Sequence, residues 1–293
     1  MRVFLTGATG FIGSRLVPEL LSAGHQVLGL TRSDRGATAL AAIGAEPFRG
    51  DIDDLDGLAQ GAARCEGVIH TAFDHDFSRY IENCERDRRA IAALGAALEG
   101  SDRPLVITSI TAMGAVRPGV PATEDVYDGA SHHPRAASEQ AMEALAARGL
   151  NVSAVRLSQI HDTTAQGLVT PYIAHARAAG MAAYAGEGRN GWSAAHVGDT
   201  VRLFRLALER AEAGARYHAT AETGIAFRDI AEAVGRRFAL PARALAAEEA
   251  VGHFGWLAPF VAADMSASSA LTAARLGWRP VGPGLLADIA GIA

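Results

Sequence analysis

Two hydrophobic periods alternate along the first 160 residues. Short apolar runs at residues 2–6, 26–30, 46–49, 67–72, 105–109 and 152–160 predict strands buried on both faces. Between them, apolar residues at three- and four-residue spacing predict helices over 11–23, 37–43, 55–63, 78–99 and 136–148. This order predicts an α/β fold, a Rossmann-type doubly wound parallel sheet with helices on both faces. Beyond residue 160 the rhythm changes. Helices are expected at 169–180, 199–213 and 227–238, with short strands near Ala183 and Tyr217. They read as a smaller C-terminal lobe that binds substrate. The expected division is 1–162, rejoined by 193–220, for the first domain, with 163–192 and 221–293 for the lobe.

The run between Gly114 and Pro134 has no period and is rich in Gly, Pro, Asp and His. At about twenty residues it is long for a plain connector, which predicts a lid or substrate-binding segment.

The first strand passes directly into TGATGFIG, with Gly7, Gly10 and Gly13 at the spacing of a phosphate-binding turn. Gly7 turns the chain off the strand, Gly10 lets backbone approach a pyrophosphate, and Gly13 lets the next helix pack closely. Thr9, Phe11 and Ile12 complete this coenzyme-binding turn, and the helix N-terminus supplies N–H groups and partial positive charge. At the end of the second strand, where NAD enzymes of this architecture place an acid, stand Thr31, Arg32 and Ser33. A guanidinium and a hydroxyl suit a 2′-phosphate, so NADP(H) is the preferred cofactor and NAD(H) the second choice. Asp51 and Ile52, after the third strand, can hold adenine, and Asp51 reads equally as a turn residue.

Composition narrows the partners. Apolar content is 49% and charged content 20%, as in ordinary globular proteins. A net charge of −5 gives no positive field for nucleic acid or an anionic membrane, and neither is expected. Cys65 and Cys84 make no disulfide framework. No signal-peptide pattern or bilayer-length apolar run is read, so a cytoplasmic location is expected. His132 and His133 lack a third ligand at metal spacing, and no metal site is expected.

TGATGFIG, GHQVLGLTRS, GDIDD, GVIHTAF, LVITSITAMG, PRAASEQAMEAL, NVSAVRLSQI and AAHVGDTVRLF, in this order, resemble the extended and atypical short-chain dehydrogenase/reductase superfamily. That group includes nucleotide-sugar epimerases and dehydratases. The resemblance covers nearly the whole length. It implies that His70, Thr71, Ala72 and Phe73 run past the coenzyme, with Thr108 beside it and Leu157 and Ser158 near the nicotinamide. It also implies a small-molecule substrate and a possible homodimer.

The superfamily's working pair is YxxxK, helped by a serine or threonine after the preceding strand. Ser109 fits the helper. In the register set by Ser138 and Glu143, Arg135 replaces the tyrosine and Glu139 the lysine. A guanidinium cannot give up a proton at neutral pH, although Arg135 could stabilise an oxyanion or grip a substrate carboxylate. It could equally pair with Glu139, four residues on along one helix. Thr111 and His161 are the candidate replacement donors, with His75 and Asp76 as further pocket candidates. The leading functional expectation is an NADP(H)-dependent oxidoreductase of the atypical short-chain type acting on a small organic carbonyl. The alternatives are a cofactor-binding sensor or scaffold, and a non-redox isomerase, lyase or cyclase on the same fold.

Overall fold

The computed structural model describes residues 1–117 and 119–293. The chain opens with β1 (Arg2–Thr6), α1 (Gly13–Ser22), β2 (Gln26–Thr31), α2 (Asp34–Ala42), β3 (Glu46–Arg49) and α3 (Leu55–Ala63). It continues through β4 (Gly67–His70), α4 (Tyr80–Ala96), β5 (Leu105–Ile110), α5 (Ala136–Ala146) and β6 (Val152–Leu157). Next come β7 (Gln159–His161), α6 (Val169–Ala179), β8 (Ala182–Ala185), β9 (Gly191–His196), α7 (Val197–Arg210) and β10 (Arg216–Ala219). The last elements are β11 (Glu222–Ala226), α8 (Phe227–Phe238), β12 (Ala242–Leu245), α9 (Ala247–Phe254), α10 (Ala258–Ala262), α11 (Ala270–Leu276) and α12 (Leu285–Ala290).

Seven parallel strands form the central sheet in the order β10-β6-β5-β4-β1-β2-β3. Its inner strands are largely apolar because both faces are covered: Val3, Phe4, Leu5, Val106 and Ile107 are all fully buried. Leu16, Leu20, Phe204 and Leu208 of α1 and α7 build the core on one face. Leu58, Ile91, Leu94, Met142 and Leu145 of α3, α4 and α5 build it on the other. Strand order reverses between β1 and β4, which opens a crevice at their carboxyl ends.

The expected strand 152–160 is two strands in two sheets. β6 ends at Leu157, opposite Ala219 of the last central strand, and Ser158 Oγ donates to the Ala219 carbonyl. The chain then leaves to pair with β9 in a three-stranded sheet ordered β11-β9-β7. A continuous apolar run cannot reveal such a change of sheet. A parallel pair, β12-β8, completes the strands. Tyr172, Trp192, Phe227, Phe254 and Leu285 form a third core around these smaller sheets.

The long connector after Gly114 is tied down rather than free. Ala122 bridges to Ala267, and buried Glu124 accepts from the Thr272 amide at 2.7 Å and the Thr272 hydroxyl at 2.8 Å. Glu124 thereby caps the first turn of α11. Glu124→Ala should lower unfolding stability by about 1–3 kcal/mol, because it strands buried donors. Urea unfolding checks this, and an unchanged midpoint would show that the connector is not anchored there.

Candidate active site

The glycine turn lies on the crevice. Gly7 has φ +68°, and a side chain there would meet the Ala72 amide at 2.7 Å. A Cβ on Gly13 would stand 2.0 Å from the Gly7 carbonyl, so α1 can begin only where a glycine permits the approach. A Cβ on Gly10 would meet only the Gly7 carbonyl, at 3.2 Å, so its outer side is open to a ligand. Phe11 and Ile12 follow on the way into α1, and Thr9 is exposed above the turn. This cradle fits a dinucleotide pyrophosphate. Thr71 and Ala72 are bound to the end of β1: Thr71 Oγ1 donates to the Thr6 carbonyl at 2.8 Å, and the Ala72 amide donates to Thr6 Oγ1 at 3.3 Å.

At the adenosine end, Arg32 leaves the sheet with its side chain largely in solvent, 3.7 Å from Asp51. Ser33 Oγ accepts from the Gly36 amide and caps α2. Thr31 is buried, and its hydroxyl has no partner among the described residues. Asp51 and Ile52 stand half-buried after β3. Arg86 on α4 fixes this edge by reaching Asp53 at 2.6 Å and Asp74 at 3.0 Å.

Two buried ion-pair networks occupy the place expected to hold proton-transfer chemistry. Arg135 Nη1 donates to Asp87 Oδ2 at 2.6 Å and to Ser138 Oγ, while Nη2 donates to the Thr108 carbonyl at 3.0 Å. Ser138 Oγ donates to the same Asp87 oxygen at 2.6 Å. His70 Nε2 lies 3.0 Å from Asp87 Oδ1, and its Nδ1 lies 2.7 Å from Thr6 Oγ1. A hydrogen-bonded chain therefore runs from the glycine turn to α5. Burial alone would raise the Asp87 carboxyl, yet Arg135, His70 and Ser138 hold it down at about 2. The ring of Phe73 covers the guanidinium, 4.2 Å from the ring centre.

The second network belongs to Glu139. Arg156 grips it with two bonds of 2.7 Å, Arg216 adds one at 2.8 Å, and Ser109 Oγ donates at 2.6 Å. Arg156 also donates to the Thr123 and Val126 carbonyls of the connector. His218, between Arg156 and the Ser268 carbonyl, has its pKa lowered to about 4, chiefly by burial.

Several expectations change on this geometry. Arg135 and Glu139 do not pair with each other; each has its own partner on another element. Arg135 has no free arm for a substrate carboxylate, since it is 4% exposed and bonded to three groups. Ser109 is fully buried with its proton given to Glu139, so it presents no donor to a substrate. His161 lies in β7, buried against Asp288 of α12 at 2.7 Å, outside the central sheet. Thr111 is buried in the turn after β5, and Thr108 Oγ1 donates to the His70 carbonyl at 2.7 Å.

Around Phe73 gather Tyr80 and His133, to which the sequence reading gave no role in the site, and His75, which it named as a pocket candidate. Tyr80 stands 6.3 Å from the Phe73 ring and 6.3 Å from His133, and His75 lies 5.2 Å from Phe73. The His133 Nδ1 accepts from the Arg135 amide at 3.1 Å, leaving Nε2 to carry the proton. Burial, then the neighbouring Arg135, lowers the His133 pKa, so the ring is neutral at pH 7. Burial pushes the Tyr80 phenol up to about 12. The signal for Tyr80 lay in FDHDFSRY, whose aromatic spacing points back toward the strand end.

The family model described as NAD dependent epimerase/dehydratase matches residues 3–220. The chain belongs to the NAD-dependent epimerase/dehydratase family. It is 44% identical over 291 residues to an uncharacterized protein of Schizosaccharomyces pombe, covering 99% of this chain and 98% of that one. To an uncharacterized protein of Saccharomyces cerevisiae it is 41% identical over 293 residues, with 99% and 98% covered. Its fold is similar to that of the UDP-glucose 4-epimerase of Thermus thermophilus bound to NAD. The TM-score is 0.76 at 22% identity, covering 99% of this chain and 97% of that one. All 27 Lys and Arg positions of this chain are arginine, so it contains no lysine.

Asp87→Asn leaves the Arg135 charge without its partner and should cost about 3–5 kcal/mol of stability, read by urea unfolding. A pH series tests the second network. In the folded state His218 takes up its proton only near pH 4, whereas the unfolded chain does so near 6.5. Its contribution is therefore complete above 6.5 and is lost as pH falls to 4. The melting temperature should drop across that window, and His218→Gln should flatten the drop.

Proposed function

We propose that the protein is an NADP(H)-dependent oxidoreductase that reduces a small organic carbonyl without a tyrosine–lysine couple. The reading rests on one observation above the rest: the strand end that would carry an acid for NAD carries Thr31 and a solvent-facing Arg32. Gly7, Gly10 and Gly13 would hold the pyrophosphate. Arg32 and Ser33 would take the 2′-phosphate, with Asp51 and Ile52 at the adenine. Thr71, Ala72, Phe73, Thr108, Leu157 and Ser158 would follow the coenzyme toward the nicotinamide.

Bound NADPH would supply the hydride. The chain's own part is to orient the carbonyl, exclude water and deliver a proton to the oxygen. Arg135, its charge answered by Asp87, acts as a positioning residue: its guanidinium seats the Phe73 ring and its amide donates to His133 Nδ1. His133 Nε2–H and the Tyr80 phenol are the neutral donors nearest that plate, with the Thr111 hydroxyl as a relay. The missing family phenol would slow turnover by roughly 10²–10⁴-fold relative to an intact couple, which leaves hydride delivery by proximity measurable.

The protein should oxidise NADPH in the presence of a carbonyl panel, followed by loss of nicotinamide absorbance. Arg32→Glu should weaken NADPH binding by about tenfold or more in calorimetry and leave NADH binding much less changed. Equal losses for both coenzymes would remove the argument for NADP. Product formed without net NADPH consumption would favour the non-redox alternative.

A homodimer is part of the same proposal. A groove between α4 and α5, lined by Arg88, Ala92, Ala141, Ala144 and Leu145, supports an interface through these helices. Light scattering should give twice the 30.5 kDa chain mass, and Ala144→Arg should return it to a monomer.

A further inference from the structure

Four rings make a continuous path from the coenzyme crevice to the surface of the smaller lobe. Phe73 meets Tyr80 at 6.3 Å, Tyr80 meets Phe77 at 5.5 Å, and Phe77 stacks on Trp256 at 5.2 Å with 23° between planes. Phe260 closes edge-on against both outer rings, at 6.2 and 6.1 Å. Trp256 is 51% exposed, whereas Trp192 and Trp278 are at most 1% exposed. A half-open indole stacked at the end of such a path leaves one face for another flat ring.

Charge around the path argues against a polyanion. Arg135 is answered by Asp87, and Arg79 is shared between Asp76 at 3.3 Å and Asp74 at 3.4 Å. Residues 255–260 carry no cation. A diphosphate laid along these rings would meet two aspartates and no unpaired guanidinium of the path's own segments. At the inner end, His133 and Tyr80 offer neutral N–H and O–H donors, the number and kind that one carbonyl oxygen needs.

We propose that this aromatic path seats an uncharged, flat aromatic carbonyl compound rather than a nucleoside-diphosphate sugar. The inference rests on the oxidoreductase reading above for the chemistry at the inner end. The binding mode itself stands on the rings and the charges.

The test is saturation-transfer difference NMR on the full chain saturated with NADP⁺, so that no hydride can be delivered. The probes are 2-naphthaldehyde, cyclohexanecarboxaldehyde and UDP-glucose. Because the chain has no lysine, the aldehydes cannot form side-chain imines that would imitate binding. Naphthaldehyde ring protons should receive saturation, while the other two probes bind at least tenfold more weakly. Trp256→Ala and the volume-keeping Phe77→Leu should each weaken naphthaldehyde by about tenfold, the change one aromatic pair supplies. UDP-glucose binding as tightly as naphthaldehyde, or neither variant shifting the dissociation constant, overturns the proposal. Naphthaldehyde bound with no saturation of NADP⁺ itself would strike the coenzyme reading and leave this one standing.

Discussion

Asp87 is a carboxylate shut away from water, and its ionisation organises the centre of the molecule. Left alone, its charge would cost several kcal/mol to bury. Arg135, Ser138 and His70 converge on it from two different elements. His70 ends β4, Arg135 and Ser138 open α5, and Asp87 lies in mid-α4. Because His70 also reaches Thr6, the carboxylate fixes the start of the coenzyme crevice relative to the helix that should carry the chemistry. The second carboxylate, Glu139, does the same for the far side, tying α5 to β6, β10 and the connector through Arg156 and Arg216.

The buried pairing of Arg135 and Glu139, where the sequence reading expected proton-transfer chemistry, limits what these two side chains can do. A buried guanidinium held by three acceptors is a fixed field rather than a mobile donor. The His133 imidazole and the Tyr80 phenol lie one layer outward, and both are neutral at pH 7. On the proposed reading, proton delivery would come from this aromatic wall rather than from the floor of the site.

The central sheet was legible because its rules are local: apolar runs, helical spacing and the three glycines each have one physical meaning. The smaller sheets were not. β9, β11 and β12 are short, and nothing within Gly191–His196 shows that it pairs with both β7 and β11. In the site, the presence of Arg135 and Glu139 in the register set by Ser138 and Glu143 could be read directly. Their partners could not, since Asp87 is 48 residues from Arg135 along the chain and sits in an ordinary charged helix. The position of His161 was hidden for a related reason: the apolar run 152–160 does not show the break at Ser158, between the end of β6 at Leu157 and the start of β7 at Gln159.

The all-arginine composition has a consequence for the behaviour of the interior in alkali. A guanidinium keeps its charge at any pH the fold can meet, so both buried pairs can be neutralised only from the carboxylate side. Their response to pH is one-sided: acid can discharge them, and base cannot. Alkaline unfolding must begin elsewhere, at the buried Cys84 thiol and at phenols such as Tyr172 and Tyr217, whose burial opposes ionisation in the packed state.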